Sequence, residues 1–77
     1  MPRYYFDVEN HGSHHDTEGN EMADAEAART AAVVFAGEYL RDNPDLVWDG
    51  RRFSVHVRDE SGTVLLDVRV EASDPAG

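Results

Sequence analysis

Three histidines and two acids lie close together in a stretch without hydrophobic periodicity: His11, His14, His15, Asp16 and Glu18. Imidazole and carboxylate groups are ligands that zinc, nickel and copper accept, and the His11-x-x-His14 spacing could bring two rings together across a turn. The same residues could form an exposed polar loop, which must lose conformational entropy before it can hold a metal. His11 and His15 are four residues apart, but they lie in a stretch without a helical pattern, so the histidine pair of a helical metal site is not expected here. Metal binding by this loop is therefore our alternative hypothesis for function.

A second interpretation of Asp16-x-Glu18-Gly19 is a structural turn. An aspartate can accept hydrogen bonds from backbone N–H groups two residues ahead, and glycine can adopt the positive φ of such a turn. The alternating oxygen ligands and terminal glutamate of an EF-hand loop are missing. The sequence therefore favours a turn over a calcium site.

Serine, histidine and aspartate also occur near one another in the predicted sheet. Ser54 and His56 lie on one face of a strand, and Asp67 is predicted beside Ser54 on the next strand. A catalytic triad needs a concave site with oxyanion donors, whereas these side chains share a flat, solvated face. The chain has no cysteine, and its six glycines are scattered rather than gathered in a phosphate-binding loop. We therefore expect a protein that is not an enzyme and uses no cofactor.

Three segments alternate apolar and polar side chains, as half-buried strands do: residues 3–9, 51–58 and 63–70. The last two are predicted to form a hairpin whose four-residue loop ends at Gly62, a residue that can take the left-handed conformation. This loop pairs Val55 with Leu66 on the apolar face. On the other face it sets Arg52 opposite Arg69, a like-charge pair that costs stability.

Residues 24–42 are predicted as an amphipathic helix with Asp24 as its N-cap. The helix stops before Pro44, because proline disfavours helical geometry in the residue that precedes it. Its apolar stripe is rich in alanine, and Val34 points away from that stripe. Residues 10–22 are predicted as a long excursion that could include a short hairpin turning near Gly12. A short apolar run after the helix is predicted to return to the core: Leu46, Val47 and Trp48.

These elements predict an α+β fold with two layers in the order β-α-β-β. A three-stranded antiparallel sheet is covered on one face by the single amphipathic helix. Antiparallel neighbours outnumber parallel ones about two- to three-fold, so we predict the strand order 2-3-1 with residues 63–70 in the centre. A chain of 77 residues allows one domain, predicted over residues 1–72, with a frayed tail over residues 73–77.

The composition bears on the class of partner. Sixteen acids and seven arginines give a formal net charge of −9. Such a surface repels a phosphate backbone, and it either attracts a basic protein or only keeps the domain soluble. No apolar run approaches the roughly 20 residues that span a bilayer, and the N-terminus lacks a signal-peptide pattern. We therefore expect a cytoplasmic protein that binds neither nucleic acid nor membrane.

The outer face of the predicted sheet has no covering layer. Tyr5 and Leu65 are its apolar side chains, His56 lies opposite Leu65, and Val34 is a second apolar position on the outward side of the helix. The other side chains of this face are largely charged, so it could simply face solvent. Alternatively, two copies could pair back to back or along an edge strand as a weak homodimer. We therefore predict a small acidic interaction or regulatory module that docks on a protein partner through Tyr5, His56, Leu65 and Val34.

Short motifs run along nearly the whole chain: Met1-Pro2-Arg3-Tyr4-Tyr5-Phe6, Asp16-x-Glu18-Gly19, Asp24-x-Glu26-Ala27-Ala28-Arg29, Asp49-Gly50-Arg51-Arg52-Phe53 and Val57-x-Asp59-Glu60-x-Gly62-x-Val64-Leu65. In this order they resemble a family of short alphaproteobacterial proteins, from rhizobia and their relatives, that begin Met-Pro-Arg-Tyr-Tyr/Phe-Phe. The histidine-rich residues 10–15 depart from that pattern. The family is one of unknown function, so the resemblance implies a bacterial, intracellular protein and transfers no catalytic residue.

Overall fold

The computed structural model describes residues 1–10 and 12–75. They form β1 (Arg3–Glu9), β2 (Ser13–His14), β3 (Asn20–Glu21), α1 (Ala25–Asp42), a 3₁₀ helix (Pro44–Gly50), β4 (Arg52–Arg58) and β5 (Val64–Glu71). The predicted α+β class with one α-helix and an antiparallel sheet is confirmed, but the described sheet has five strands rather than three. The predicted tail over residues 73–77 extends past the described residues in its last two positions.

The strand order differs from the prediction. The sheet runs β2-β1-β4-β5, with β3 also paired to β1, so β4 rather than β5 is central and the order 2-3-1 is wrong. The cause lies in the excursion, because β2 and β3 both pair antiparallel with β1 and return the chain to its start. The helix then runs in the same direction as β1, from the Tyr4 cluster to the Val8 cluster. β4 follows and pairs antiparallel with β1. Strands of two residues are too short to show alternation in the sequence.

The helix has the ends that the sequence predicts. The carboxylate of Asp24 accepts a hydrogen bond from the backbone N–H of Ala27 at 2.8 Å, and the N–H of Asn43 closes the last turn on the carbonyls of Tyr39 and Leu40. The alanine stripe is buried against the sheet, at Ala28, Ala32 and Ala36. Among the described residues, no helix combines the length and the apolar character needed to cross a lipid bilayer.

The core lies between the helix and the sheet in two neighbouring clusters. One is built on Tyr4, Phe6 and Val57, and the other on Val8, Val47, Phe53 and Val55. Aromatic rings from both layers stack in series with centroid spacings of 6.3, 6.0 and 5.2 Å, in the order Phe6, Phe35, Tyr39 and Phe53. This ladder joins the helix to two strands, so the domain has one continuous apolar layer.

The hairpin of β4 and β5 is shifted by two residues from the predicted register. Val55 pairs with Val68 instead of Leu66, and the ladder is irregular between Val57 and Arg58. Leu65 is the extra residue at this bulge, which turns its side chain from the outer face toward the core. The bulge therefore exchanges two apolar neighbours: Leu65 turns toward the core, whereas Val64 lies opposite Arg58 and is 52% exposed.

The shift also removes the predicted clash of arginines. Arg52 lies opposite Glu71 and forms an ion pair with it at 3.6 Å, while Arg69 lies opposite Ser54. Like charges opposite one another destabilise a sheet, whereas opposite charges contribute a little. The observed register thus pairs apolar side chains on the core face and removes the facing arginines from the outer face.

Candidate functional site

The outer face of the sheet holds a buried carboxylate, Asp7, which is only 2% exposed. Its Oδ2 accepts a hydrogen bond from Nε of Arg58 at 2.8 Å and lies 2.9 Å from Nε2 of His56. Its Oδ1 accepts from the backbone N–H of Asp16 at 2.9 Å. A buried charge is costly unless it is paired and hydrogen-bonded, and Asp7 is both.

Asp16 fastens the excursion to the sheet. Its Oδ2 accepts from the N–H of Phe6 at 3.1 Å, and its Oδ1 accepts from the N–H groups of Glu18 and Gly19 at 3.1 and 3.0 Å. Gly19 has a φ of +72°, so the predicted turn is confirmed. Arg58 also donates to the carbonyl of Asp16 at 2.8 Å, which ties the turn to the Asp7 cluster.

The pKa values of both aspartates are shifted by these contacts. Burial alone would raise the pKa of Asp7, but the hydrogen bonds from Arg58 and from the Asp16 backbone hold it below its ordinary value. Burial opposes ionisation of Asp16 in the same way, and the N–H groups of Gly19, Phe6 and Glu18 lower its pKa. Both carboxylates are therefore stabilised as anions inside the fold.

The four residues predicted as one interaction face do not share a surface. Tyr5 and His56 lie on the outer face, where the Arg58 guanidinium sits 4.7 Å from the centre of the Tyr5 ring. Leu65 packs on the opposite side, against the core cluster of Phe6. Val34 is 52% exposed on the helix, pointing away from the sheet as predicted.

Three of the predicted metal ligands line one surface depression, namely His14, His15 and Asp16. His14, His15 and Glu18 are exposed, His15 Nδ1 lies 3.7 Å from Asp7, and both oxygens of Asp16 already accept backbone hydrogen bonds. Over residues 1–10 and 12–75, no group of three or more histidine, aspartate or glutamate side chains is placed to hold a metal ion. His11 lies outside the described residues, and metal binding by the whole set stays a prediction.

The catalytic grouping considered for the outer face has a different arrangement from the predicted one. His56 lies opposite Asp67, while Ser54 lies opposite Arg69. These four residues line a depression of 320 Å³ together with other side chains of both charges. The imidazole of His56 is held by Asp7, whose carboxylate is in turn neutralised by Arg58.

Sequence reasoning placed Trp48 in the core, and that prediction is wrong. Its neighbour Val47 is 8% exposed and fills the core, while Trp48 is 64% exposed. Successive side chains of a 3₁₀ helix point about 120° apart, so adjacent apolar residues cannot all face inward. The sequence signal for a 3₁₀ helix was Pro44, which precedes an apolar run too short for an α-helix.

Trp48 borders a cavity of 630 Å³ at one end of the domain. We call its lining the Trp48 surface, formed by Val47, Trp48, Gly50, Glu71, Ala72, Ser73 and Asp74. Its two carboxylates come from the end of β5 and the segment that follows. Glu71 remains 64% exposed although it pairs with Arg52. The Trp48 surface therefore combines an aromatic plane with negative charge.

A family model described as a domain of unknown function, DUF6894, matches residues 3–71. The chain belongs to the DUF6894 family. The match spans all the strands and helices described above, which confirms the predicted membership of a family of unknown function. Searches of curated proteins and of solved structures found no match.

Proposed function

We propose that this DUF6894 protein is a small, non-enzymatic interaction module that binds a basic segment of a partner protein at the Trp48 surface. The exposure of Trp48 carries the proposal: the chain's one tryptophan is 64% exposed beside a cavity of 630 Å³. A domain of this size has a thin core and gains from burying each large apolar side chain. A large aromatic side chain left in solvent beside a cavity is typical of a binding surface.

The chemistry of the surface favours a cationic occupant. An indole ring is the best aromatic partner for a lysine or arginine side chain, which it attracts through its negative face. Glu71 lies at the same cavity, and Asp45 precedes Trp48 by one turn of the 3₁₀ helix. The net charge of −9 also steers positively charged segments toward the domain. We therefore infer an arginine- or lysine-containing segment rather than an acidic or purely apolar one.

The outer face supports a non-enzymatic role. A general acid or base must reach the substrate proton directly or through one water molecule. Asp7 is 2% exposed, and its oxygens accept from Arg58 and from the backbone of Asp16. His56 lies against that same carboxylate. The polar groups of Asp7, Arg58 and His56 are thus paired with one another, as in a structural polar network.

The single tryptophan makes the proposal directly measurable. Titration with a short arginine-rich peptide should change the Trp48 emission saturably, and the affinity should weaken as salt screens the charges. A glutamate-rich peptide of equal length should leave the emission unchanged.

Calorimetry of Trp48→Ala with the arginine-rich peptide should show at least about a tenfold loss of affinity, with partial retention in Trp48→Phe. Val64→Ala is the matched control, since Val64 is another exposed apolar residue, 52% exposed, and it lies outside the Trp48 surface. Equal affinity of Trp48→Ala and the unmodified protein for the peptide would contradict the proposal.

A further inference from the structure

The two edges of the sheet differ. β2 and β3 lie along β1 on one side, whereas β5 ends the strand order on the other, and no further strand pairs with β5 within the part of the chain that the structure describes. β5 is eight residues long, and its core-facing side chains are only half-buried, namely Leu66, Val68 and Val70. Their partners in β4 are fully buried, namely Val57, Val55 and Phe53. The apolar layer is therefore incomplete along β5.

We propose that β5 of a second copy of this chain pairs antiparallel with β5 across this edge, so that one sheet runs through both copies. An antiparallel two-fold pair must keep the apolar faces on the same side, and the overlap is longest with Asp67 on the axis, which pairs residues 64–70, or with Val68 on the axis, which pairs residues 65–71. With Asp67 on the axis, two carboxylates face each other. With Val68 on the axis, Asp67 of each copy faces Arg69 of the other.

The register centred on Val68 is complementary on both faces. On the core side, Val68 meets Val68 of the second copy, and Leu66 meets Val70 of the second copy. On the outer side, Asp67 and Arg69 already form an ion pair within the strand at 3.0 Å, and Arg69 is 75% exposed. Charges on an edge strand normally oppose strand addition. Here their order matches an antiparallel copy of the same strand, so the second copy is the occupant that the pattern favours.

Charge reversal at the edge gives a direct test in analytical ultracentrifugation. The unmodified protein should reach twice the chain mass of 8.6 kDa as its concentration rises. Asp67→Arg and Arg69→Asp should each stay at the chain mass, because like charges then face one another. An equimolar mixture of the two variants should form heterodimers, since every facing pair is again of opposite charge. Asp42→Arg, a matched reversal on the exposed end of the helix, should dimerise like the unmodified protein.

A cysteine scan tests the same register without altering charge. The chain has no cysteine of its own. Val68→Cys should form a disulfide-linked dimer under mild oxidation, because residues directly opposite have Cα atoms about 4.5–5.5 Å apart. Val70→Cys is the control, because its two copies are offset by four residues, or roughly 13 Å, and cannot be bridged.

Several results would overturn the edge pairing. One is a measured mass of a single chain at all concentrations of the unmodified protein. Another is a dimer of Asp67→Arg alone or Arg69→Asp alone that is as stable as the dimer of the unmodified protein. A third is an equimolar mixture of the two variants that stays monomeric. Equal cross-linking of Val68→Cys and Val70→Cys would overturn it as well. Circular dichroism establishes that each charge variant is folded, and the cysteine pair decides the question if one is not.

Discussion

Asp7 and Arg58 meet diagonally across β1 and β4, with the guanidinium Nε 2.8 Å from the carboxylate Oδ2. The ladder places Tyr5 directly opposite Arg58 and His56 directly opposite Asp7. Arg58 therefore reaches over the Tyr5 ring to the carboxylate, and it also donates to the carbonyl of Asp16. One side chain thus links both central strands to the excursion, so that several contacts depend on one charge pair.

Replacement of Asp7 by asparagine should destabilise the protein by about 2–4 kcal/mol, because the guanidinium then lies against an uncharged partner in a largely buried site. Urea unfolding followed by circular dichroism measures the change. Asp42→Asn removes an exposed pair with Arg41 and should shift stability by less than about 0.5 kcal/mol. A smaller cost for Asp7→Asn than for this control would mean that the buried pair contributes no stability.

Stability should fall in acid. The pKa values of Asp7 and Asp16 lie below their ordinary value of 3.8 in the folded state, so the unfolded chain binds protons first as the pH drops. Their stabilisation is present above the unfolded pKa and is lost as the pH falls through the folded pKa, beginning at about pH 5. Thermal unfolding between neutral pH and about pH 2 should show this decline. In Asp16→Asn the acid decline should be shallower, and an unchanged pH profile would count against the assignment.

Two glycines should respond oppositely to alanine. Gly19 has a φ of +72°, and an added Cβ would lie 2.8 Å from the carbonyl oxygen of Tyr4. Gly19→Ala should therefore cost about 2 kcal/mol or more. Gly37 lies inside the helix with nothing within 4 Å of an added Cβ, so Gly37→Ala should stabilise the protein by about 0.5–1 kcal/mol. Denaturant midpoints of the two variants should move in opposite directions.

The bulge in β5 makes a further prediction about neighbouring residues. Leu65 packs against the core cluster, whereas Val64 is 52% exposed. Leu65→Ala should cost about 1–2 kcal/mol through lost burial, and Val64→Ala less than about 0.5 kcal/mol. Equal costs in chemical unfolding would place Leu65 on the outer face, as the uninterrupted alternation of the sequence predicts.

Much of the fold follows from local pattern. The helix bounds come from Asp24 and Pro44, and the apolar alternation correctly places Phe53 and Val55 in the core. The strand order could not be predicted in the same way. It depends on whether the excursion reverses the chain, and that reversal rests on polar contacts of Asp16 with β1 rather than on hydrophobic periodicity.

The candidate sites show a similar division. The Asp16 turn was predictable, because the side chain that accepts and the glycine that follows lie within four residues. The burial of Asp7 was not, because it depends on Arg58, which is 51 residues away in the sequence, and on the backbone of the Asp16 turn. Trp48 was misplaced for a geometric reason, since a 3₁₀ helix exposes a side chain that an inward-facing strand or helix position would bury.

The short strands β2 and β3 cover the edge of β1 that does not pair with β4, and this sheath has a consequence for assembly. A sheet with one unpaired edge can add only one further copy through that edge, whereas a sheet with two unpaired edges can add copies repeatedly and form protofilaments. Replacing residues 13–21 with a short glycine-serine linker should therefore convert a self-limited species into thioflavin-positive fibrils. A shortened chain that stays non-fibrillar at high concentration would show that the sheath has no such protective role.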